Sequence, residues 1–309
     1  MSNRPDISVV MSVYNGANDL RQTIDSILSQ KGVELELIVI NDGSTDGTEE
    51  LLDEYRNRDR RIRAFHQKNQ GLTRSLIDGC AATSGVYIAR QDAGDISLPG
   101  RLVKQLACIK ETPDAAFVSC GTRFVGPGGE YLYDISHDPG EATSRLKTVE
   151  LANIRGPAHH GSTLFSRALY EQVGGYRSAF YFAQDLDLWI RLVEYGQHVV
   201  IPEVLYQASM TLESVSSLYR KEQVESARLI LESARLRRES RSEEPVLDKA
   251  RLIRPHARRS SSRLRRARAF YFIGVCLKSH RDPKAPLYFK QALQTFPLHL
   301  KSAVQLLLR

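Results

Sequence analysis

The sequence predicts an α/β fold in which a mainly parallel sheet is flanked by helices, followed by a C-terminal α-helical region. Short apolar segments rich in β-branched residues alternate with amphipathic segments through the first two thirds of the chain. After about residue 210 the strand-like segments disappear and helical periodicity takes over. We therefore expect a sheet-based domain at residues 1–215 and a basic helical region at residues 216–309.

The apolar pattern places each element in turn. Strands are predicted at residues 7–14, 34–40, 61–66, 86–90, 115–125 and 131–133. The first contains no polar residue except serine, as expected for a strand that is covered on both faces. Helices are predicted at residues 18–30, 46–57, 72–83, 99–110 and 185–195, with a loop, a strand and a short helix within 156–175. In the tail, helices are predicted at residues 213–241, 264–278, 286–295 and 298–308.

The composition excludes several classes of protein. With 309 residues, of which 42% are hydrophobic, the chain can bury a sizeable core. No apolar run approaches the ~18 residues of a membrane span, and the polar N-terminus lacks the apolar segment of a secretory signal. The four cysteines are widely spaced and form no metal-finger pattern, so we expect reduced thiols and a cytoplasmic location.

The charge is distributed unevenly along the chain. Residues 1–219 carry 21 Lys and Arg against 28 Asp and Glu, whereas residues 220–309 carry 22 against 8. Such a basic tail suits either solvated helix faces that cap the sheet-based domain or a peripheral contact with an anionic membrane surface. Binding to nucleic acid is not expected, because the arginines lack the interleaved aromatic residues of a base-stacking surface.

Polar clusters follow three of the predicted strands. They contain Tyr14 and Asn15 after the first, Asp42 after the second, and Asp92 with Asp95 after the fourth. Ligands of open parallel sheets bind beyond the carboxyl ends of the strands, so we expect these side chains to share one edge.

Asp92 and Asp95 are the candidate metal ligands. Two carboxylates on a tight turn can present oxygen atoms to a hard cation such as Mg²⁺ or Mn²⁺, which would neutralise a diphosphate leaving group. The structural alternative is a loop aspartate that caps the next helix. For Asp42 the choice lies between a contact with a nucleobase N–H and an ordinary turn aspartate, since Asp-Gly is a favoured turn pair.

Asp185 is the candidate general base. It opens a predicted helix, where a carboxylate is also favoured simply by the helix dipole, and Asp187 has the same simple explanation. The aromatic run at residues 180–182 could line a pocket, desolvate Asp185 and raise its pKa. The neighbouring pair His159 and His160 suggests either a hydrogen bond to phosphate or acceptor, a structural histidine, or a metal ligand, although no third ligand has a matching spacing.

Several segments, taken in order, resemble the family 2 glycosyltransferases with the Rossmann-like GT-A fold. They are SVVMSVYN at residues 8–15, IVINDGSTDGT at 38–48, QGL at 70–72, ARQDAGDI at 89–96 with Pro99 and Arg101, and AQDLDLW at 183–189. The resemblance implies an inverting, single-displacement transfer from a nucleotide sugar, with a UDP-sugar the expected donor and a saccharide or lipid-linked acceptor, in bacterial-type polysaccharide or glycolipid biosynthesis.

The resemblance also implies roles for individual residues. Tyr14, Asn15 and Asp42 would contact the nucleoside. Asp92 and Asp95 would form the DxD-type metal motif, and Asp92 would also contact the nucleotide sugar. Asp185 would be the base, and His160 would contact the nucleotide sugar. Two positions depart from the family pattern: Gly94 stands where an aspartate is common, and Gln184 where a glutamate is common. The first leaves open which carboxylate contacts the metal directly.

Two other functions remain possible at this stage. A nucleotidyltransferase also uses paired carboxylates, but the turn at residues 15–18 lacks the lysine of a basic phosphate loop. A non-catalytic nucleotide-sugar-binding protein would keep the whole fold. A dehydrogenase is disfavoured because no GxGxxG motif follows the first strand.

Overall fold

The computed structural model describes residues 4–210, 219–255 and 262–307. The strands found there are β1 (Ile7–Val13), β2 (Leu35–Asn41), β3 (Ile62–His66), β4 (Tyr87–Asp92), β5 (Ile96–Ser97), β6 (Ala115–Val125), β7 (Tyr131–Ile135), β8 (Thr163–Ser166) and β9 (Gln197–Ser209). They form one sheet in the order β3-β2-β1-β4-β8-β6-β9-β5, with β7 paired to β6.

The helices of the described residues alternate with the early strands and dominate the end of the chain. They are α1 (Leu20–Leu28), α2 (Thr48–Arg58), α3 (Leu72–Ala81), α4 (Arg101–Glu111), α5 (Ala142–Lys147), α6 (Arg167–Gln172), α7 (Gln184–Leu192), α8 (Arg220–Arg238), α9 (Glu244–Arg251), α10 (Arg263–Ser279), α11 (Ala285–Thr295) and α12 (Leu300–Leu307). A short 3-10 helix, His160–Ser162, precedes β8. The predicted α/β fold with a helical C-terminal region is confirmed.

The sheet is mixed rather than mainly parallel. β1 pairs in parallel with both β2 and β4, and β2 pairs in parallel with β3. β8 then runs antiparallel to both β4 and β6, and β5 runs antiparallel to β9. The parallel half therefore supplies the strand ends predicted to carry the site, and the antiparallel half extends the sheet beside β4.

The alternation of side chains along β1 explains why helices cover both faces of the sheet. Val9 and Met11 enter one core together with residues of α1, α2 and α4. Val10, between them, enters a second core with residues of α3, α7 and α8. Both faces of the strand are buried, which is why its sequence is almost continuously apolar.

The chain divides into two compact units. The first contains residues 1–122, 135–207 and 222–254, and the second contains residues 123–134, 208–221 and 255–309. The second unit has its own apolar core, in which Ile273 and Leu277 of α10 pack with Tyr288 and Phe289 of α11. Helices α8 and α9 thus group with the sheet, and the boundary predicted at residue 215 lies outside the described residues.

In the helical tail, two elements differ from the sequence-based expectation. The helix predicted at residues 213–241 is found as Arg220–Arg238, and its predicted first residues fall in the segment that the structure does not describe. Helix α9 was not predicted. The positive φ of Ser240 (53°) ends the path of the preceding helix α8, and α9 starts as a separate helix at Glu244. No helix of the described residues is long and apolar enough to cross a membrane.

Candidate active site

The loops that carry the predicted site residues share one edge of the sheet. In the pairing register Val13 lies opposite Asn41, and Ser12 lies opposite Asp92. Asp42 directly follows β2, and Asp92 is the last residue of β4. These two strands lie on either side of β1, about 10 Å apart at the usual strand spacing. The expected convergence at the carboxyl ends of β1, β2 and β4 is present.

An acidic cluster with one histidine lies just beyond β4. Ligand atoms of Asp92, Asp95 and His159 all lie within 4.8 Å of one another. Nδ1 of His159 is 3.7 Å from Oδ2 of Asp92 and 3.7 Å from Oδ2 of Asp95. The same Nδ1 accepts a hydrogen bond from the backbone N of Gly161 (3.1 Å), which occupies its one lone pair, so a metal bound through Nδ1 would have to displace that hydrogen bond.

The turn between the two aspartates has a glycine at its third position, where the backbone φ is positive. Gly94 has a φ of 92°, in the left-handed region that side chains disfavour. The backbone N of Asp95 donates to the carbonyl of Asp92 (3.2 Å), and the N of Gly94 donates to Oγ1 of Thr23 (3.0 Å). The departure from the family pattern at Gly94 is thus compatible with a tight turn that points both carboxylates to one side.

Arg90 fixes the orientation of Asp92. Its buried guanidinium pairs with Oδ1 of Asp92 and also donates to the carbonyls of Val10 (2.7 Å) and Gln91 (2.8 Å). Oδ2 of Asp92 is therefore the oxygen that faces His159. Burial by itself would raise the pKa of Asp92, but the charge and the hydrogen bond of Arg90, together with the neighbouring His159, outweigh it and hold the pKa below the ordinary value.

Tyr206 of β9 positions the other carboxylate. Its buried hydroxyl donates to Oδ2 of Asp95 (2.9 Å) and accepts a hydrogen bond from the backbone N of Asp92 (3.1 Å). Its ring stacks on His159, with the ring centroids 5.3 Å apart. The buried guanidinium of Arg101 also lies over this ring, 4.8 Å from its centroid. One tyrosine thus contacts all three residues of the cluster.

The nucleoside candidates lie on the far side of β1. Tyr14 is exposed over 42% of its surface, and Asn15 has a left-handed φ of 53°. The backbone N of Asn15 donates to Oγ of Ser44 (2.9 Å), and the side-chain Oδ1 of Asn15 accepts a hydrogen bond from the N of Thr45 (2.8 Å). The loops after β1 and β2 are therefore tied together below an exposed aromatic side chain.

Asp42 is buried and already holds a loop. Its Oδ1 accepts hydrogen bonds from Nε2 of Gln67 and the N of Gln70, and its Oδ2 accepts from the N of Gly71, each at 2.9 Å. A carboxylate offers about four acceptor positions, so one further contact remains available on Oδ2. A direct contact between Asp42 and a nucleobase stays a prediction.

Asp185 and Asp187 lie in the same turn of α7 but in opposite electrostatic environments. Burial raises the pKa of Asp185, and the negative charge of Asp92 adds to the effect. Oδ1 of Asp185 accepts from the backbone N of Leu186 (2.9 Å). For Asp187, burial is outweighed by the paired guanidiniums of Arg191 and Arg177, which lower its pKa. Two carboxylates with pKa values pushed apart are a common arrangement of acid–base sites.

His160 faces the interior rather than the acidic cluster. Its Nε2 lies 2.7 Å from the hydroxyl of Tyr176 and accepts a hydrogen bond from Nε of Arg90 at 3.3 Å. Burial, together with the charge of Arg90, keeps the pKa of His160 well below its ordinary value, so the ring is neutral. Any contact with a ligand would have to be made through Nδ1, and the predicted binding role of His160 stays a prediction.

Three members of this site were not among the predicted site residues: His159 at the acidic cluster, and Arg90 and Tyr206 behind it. The pair His159 and His160 was considered as a metal site, but no third ligand has a matching spacing in the sequence. The signal that could have located it is its place directly before β8, because that strand pairs with β4 at Leu164 and Ala89.

Known proteins resemble this chain in both sequence and fold. Residues 8–174 match the family model for glycosyl transferase family 2. The putative glycosyltransferase EpsE of Bacillus subtilis (strain 168) is 33% identical over 215 residues, which cover 67% of this chain and 74% of that protein. An uncharacterized glycosyltransferase of Rickettsia bellii (strain RML369-C) is 31% identical over 191 residues; the aligned part is 61% of this chain but only 27% of that longer protein.

Two solved structures share the fold at low sequence identity. S. aureus TarS 1-349 in complex with UDP-GlcNAc has a TM-score of 0.56 and 14% identity, covering 97% of this chain and 91% of that one. The mannosyltransferase PcManGT of Pyrobaculum calidifontis, in complex with GDP-Man and Mn²⁺, has a TM-score of 0.54 and 17% identity, covering 99% and 88%. Fold and site together define a glycosyltransferase of the GT-A type. By sequence, the chain belongs to glycosyl transferase family 2.

Proposed function

We propose that the chain is an inverting, metal-dependent hexosyltransferase. It transfers a sugar from a nucleoside-diphosphate-sugar, expected to be a UDP-sugar, to a hydroxyl group of a saccharide or lipid-linked acceptor in polysaccharide or glycolipid biosynthesis. The UDP-GlcNAc bound to TarS and the GDP-Man bound to PcManGT support a nucleotide-sugar donor. A cytoplasmic location, peripheral on the inner face of a membrane, remains a prediction from the sequence.

The observation that carries the proposal is the contrast between Asp185 and the acidic cluster. Asp92 is held ionised by Arg90, whereas burial shifts Asp185 toward higher pKa within electrostatic range of Asp92 and His159. A base with a raised pKa takes a proton more effectively near neutral pH. Asp185 accepts the proton of the acceptor hydroxyl while that oxygen attacks the anomeric carbon, and the bond from this carbon to the diphosphate breaks.

The acidic cluster fits a divalent cation. Two carboxylates and an imidazole nitrogen lie within 4.8 Å of one another, and once Nδ1 of His159 is released from the N of Gly161 this mixed donor set suits Mn²⁺ better than Mg²⁺, which prefers oxygen alone. Asp92, Asp95 and His159 would hold the ion, and a bound cation would neutralise charge on the departing diphosphate. Arg90 and Tyr206 keep the carboxylates oriented.

The nucleoside end of the donor is assigned to the neighbouring strand ends. Tyr14 offers an exposed aromatic surface, Asn15 joins the two loops, and Asp42 fixes the loop at residues 67–71 with one acceptor position remaining. His160 supports the site from behind through Arg90 and keeps Nδ1 for a possible contact. This arrangement gives the diphosphate a path from Tyr14 toward the acidic cluster.

The test is nucleotide release by the full chain from a panel of UDP- and GDP-sugars with Mn²⁺, with and without chelator. Asp185→Asn is expected to lower turnover by ~10²–10⁴-fold while the thermal shift on adding UDP is retained. Asp248→Asn, which changes an exposed carboxylate of α9, is the matched control and should act like the wild type.

Each alternative has its own outcome in this assay. Near-wild-type turnover by the Asp185 variant would remove the assignment of the base, and undiminished turnover in chelator would remove the metal. A thermal shift with nucleotides but no turnover of any donor or acceptor would identify a non-catalytic binding protein. The anomeric configuration of the product, measured by NMR, tests inversion.

A further inference from the structure

Helix α12 exposes a stripe of apolar side chains. Leu300, Val304 and Leu307, spaced as one helical stripe, are exposed over 74%, 49% and 83% of their surfaces. On the opposite side, Ser302 is fully buried and its hydroxyl bonds Nδ1 of His299 (2.8 Å). An amphipathic helix of a globular protein normally buries its apolar stripe; α12 packs Leu306 against the core of the second unit but leaves this longer stripe exposed.

The exposed stripe continues into the preceding turn. Leu298, two residues before the helix, is exposed over 75% of its surface. We call Leu298, Leu300, Val304 and Leu307 the α12 apolar face. Single exposed leucines are ordinary on protein surfaces, but several within ten residues, aligned on one helix, indicate an interaction surface.

Cations border this face. Residues 262–307 contain nine Lys and Arg but a single acidic residue, Asp282. Lys301 lies within α12 itself, and Nζ of Lys278 donates to Oε1 of Gln305 on the same helix (2.8 Å). Arg268 lies close enough to His299 that, after burial, its charge helps to lower the pKa of that histidine. The apolar face is therefore combined with a positive margin.

We propose that the α12 apolar face docks on an anionic lipid surface. The aliphatic side chains enter the boundary between headgroups and acyl chains, and Arg268, Lys278 and Lys301 interact with lipid phosphates. Nucleic acid would not make use of aliphatic side chains, because it is bound by cations and aromatic stacking. A second copy of the chain would bring two positive margins together, which disfavours a symmetric dimer through this face.

The experiment is flotation of the full chain with phosphatidylcholine vesicles that contain about one third phosphatidylglycerol, compared with vesicles of phosphatidylcholine alone. We expect binding to the anionic vesicles that weakens as salt is raised. The triple variant L300Q/V304Q/L307Q should lower the partition coefficient by at least about tenfold. The double variant R268Q/K301Q should lower it by about tenfold or more on anionic vesicles.

Leu252→Gln is the matched control, since it replaces a leucine of the first unit that is 81% exposed, and it should bind like the wild type. All substituted side chains are exposed, so the circular dichroism and melting temperature should be unchanged. Equal flotation of the wild type and the triple variant would overturn the proposal. So would a dimer, detected by light scattering without vesicles, that the triple variant abolishes, or binding to nucleic acid in place of the anionic vesicles.

Discussion

Removing one hydroxyl group, in Tyr206→Phe, tests whether the tyrosine organises the acidic cluster. The substitution deletes the donor to Oδ2 of Asp95 and the acceptor for the N of Asp92, while the ring that stacks on His159 remains. Leaving these buried groups without their partner should lower the free energy of unfolding by about 1–3 kcal/mol. Loss of a hydrogen bond to a metal ligand typically weakens metal affinity by about 10–100-fold.

The assay is a titration with Mn²⁺ in the presence of UDP, followed by the melting temperature and by calorimetry. Tyr55→Phe is the matched control, because its hydroxyl also bonds a carboxylate, Asp25 (2.7 Å), but on α2. That control should lose some stability and keep its Mn²⁺ affinity. If Tyr206→Phe binds Mn²⁺ as tightly as the wild type does, the hydroxyl does not position the carboxylates.

Two further predictions concern the carboxylates of α7. Asp187→Asn leaves the buried guanidiniums of Arg177 and Arg191 without their shared anion and should cost about 3–5 kcal/mol in urea unfolding, whereas Asp185→Asn should be neutral or slightly stabilising. Because folding lowers the pKa of Asp187, its contribution to the free energy of unfolding is present above the unfolded pKa and disappears as the pH falls through the folded pKa. Equal stability of the two variants at neutral pH would contradict this account. The raised pKa of Asp185 predicts that kcat/KM falls on the acid side at a higher pH than for an ordinary aspartate, and that Asp185→Glu shifts this acid limb. A flat profile from pH 5 to 8, unchanged in Asp185→Glu, would argue against Asp185 as the base.

The parallel half of the sheet could be predicted because its information is local. Each strand is a short apolar run, and a polar residue such as Asp42 or Asp92 follows it directly. Parallel pairing then requires that these residues share an edge, whatever the rest of the chain does. Burial raises the pKa of Asp185, the direction that its aromatic neighbours predict from the sequence.

The remaining parts of the site depend on contacts that the local sequence does not encode. β9 was not predicted because Pro202 and Glu203 interrupt its apolar pattern. Within the described residues, β5 pairs only with residues 206–207 of β9, so no ladder hydrogen bond to β5 requires the backbone N–H that Pro202 lacks. Tyr206 reaches Asp95 across 111 positions of sequence, and His159 reaches it only because β8 lies beside β4. Such distances exceed anything that periodicity or motif spacing can report.

The close packing of Gly161 against Tyr206 limits how the loop carrying His159 can be redesigned. A β-carbon at position 161 would lie 1.9 Å from the tyrosine hydroxyl, and no small adjustment removes such an overlap. A mutant library built on this loop could therefore vary the partly exposed Ala158 but should keep position 161 unchanged. Tolerance to substitution at this position is thus decided by the packing of the loop against β9.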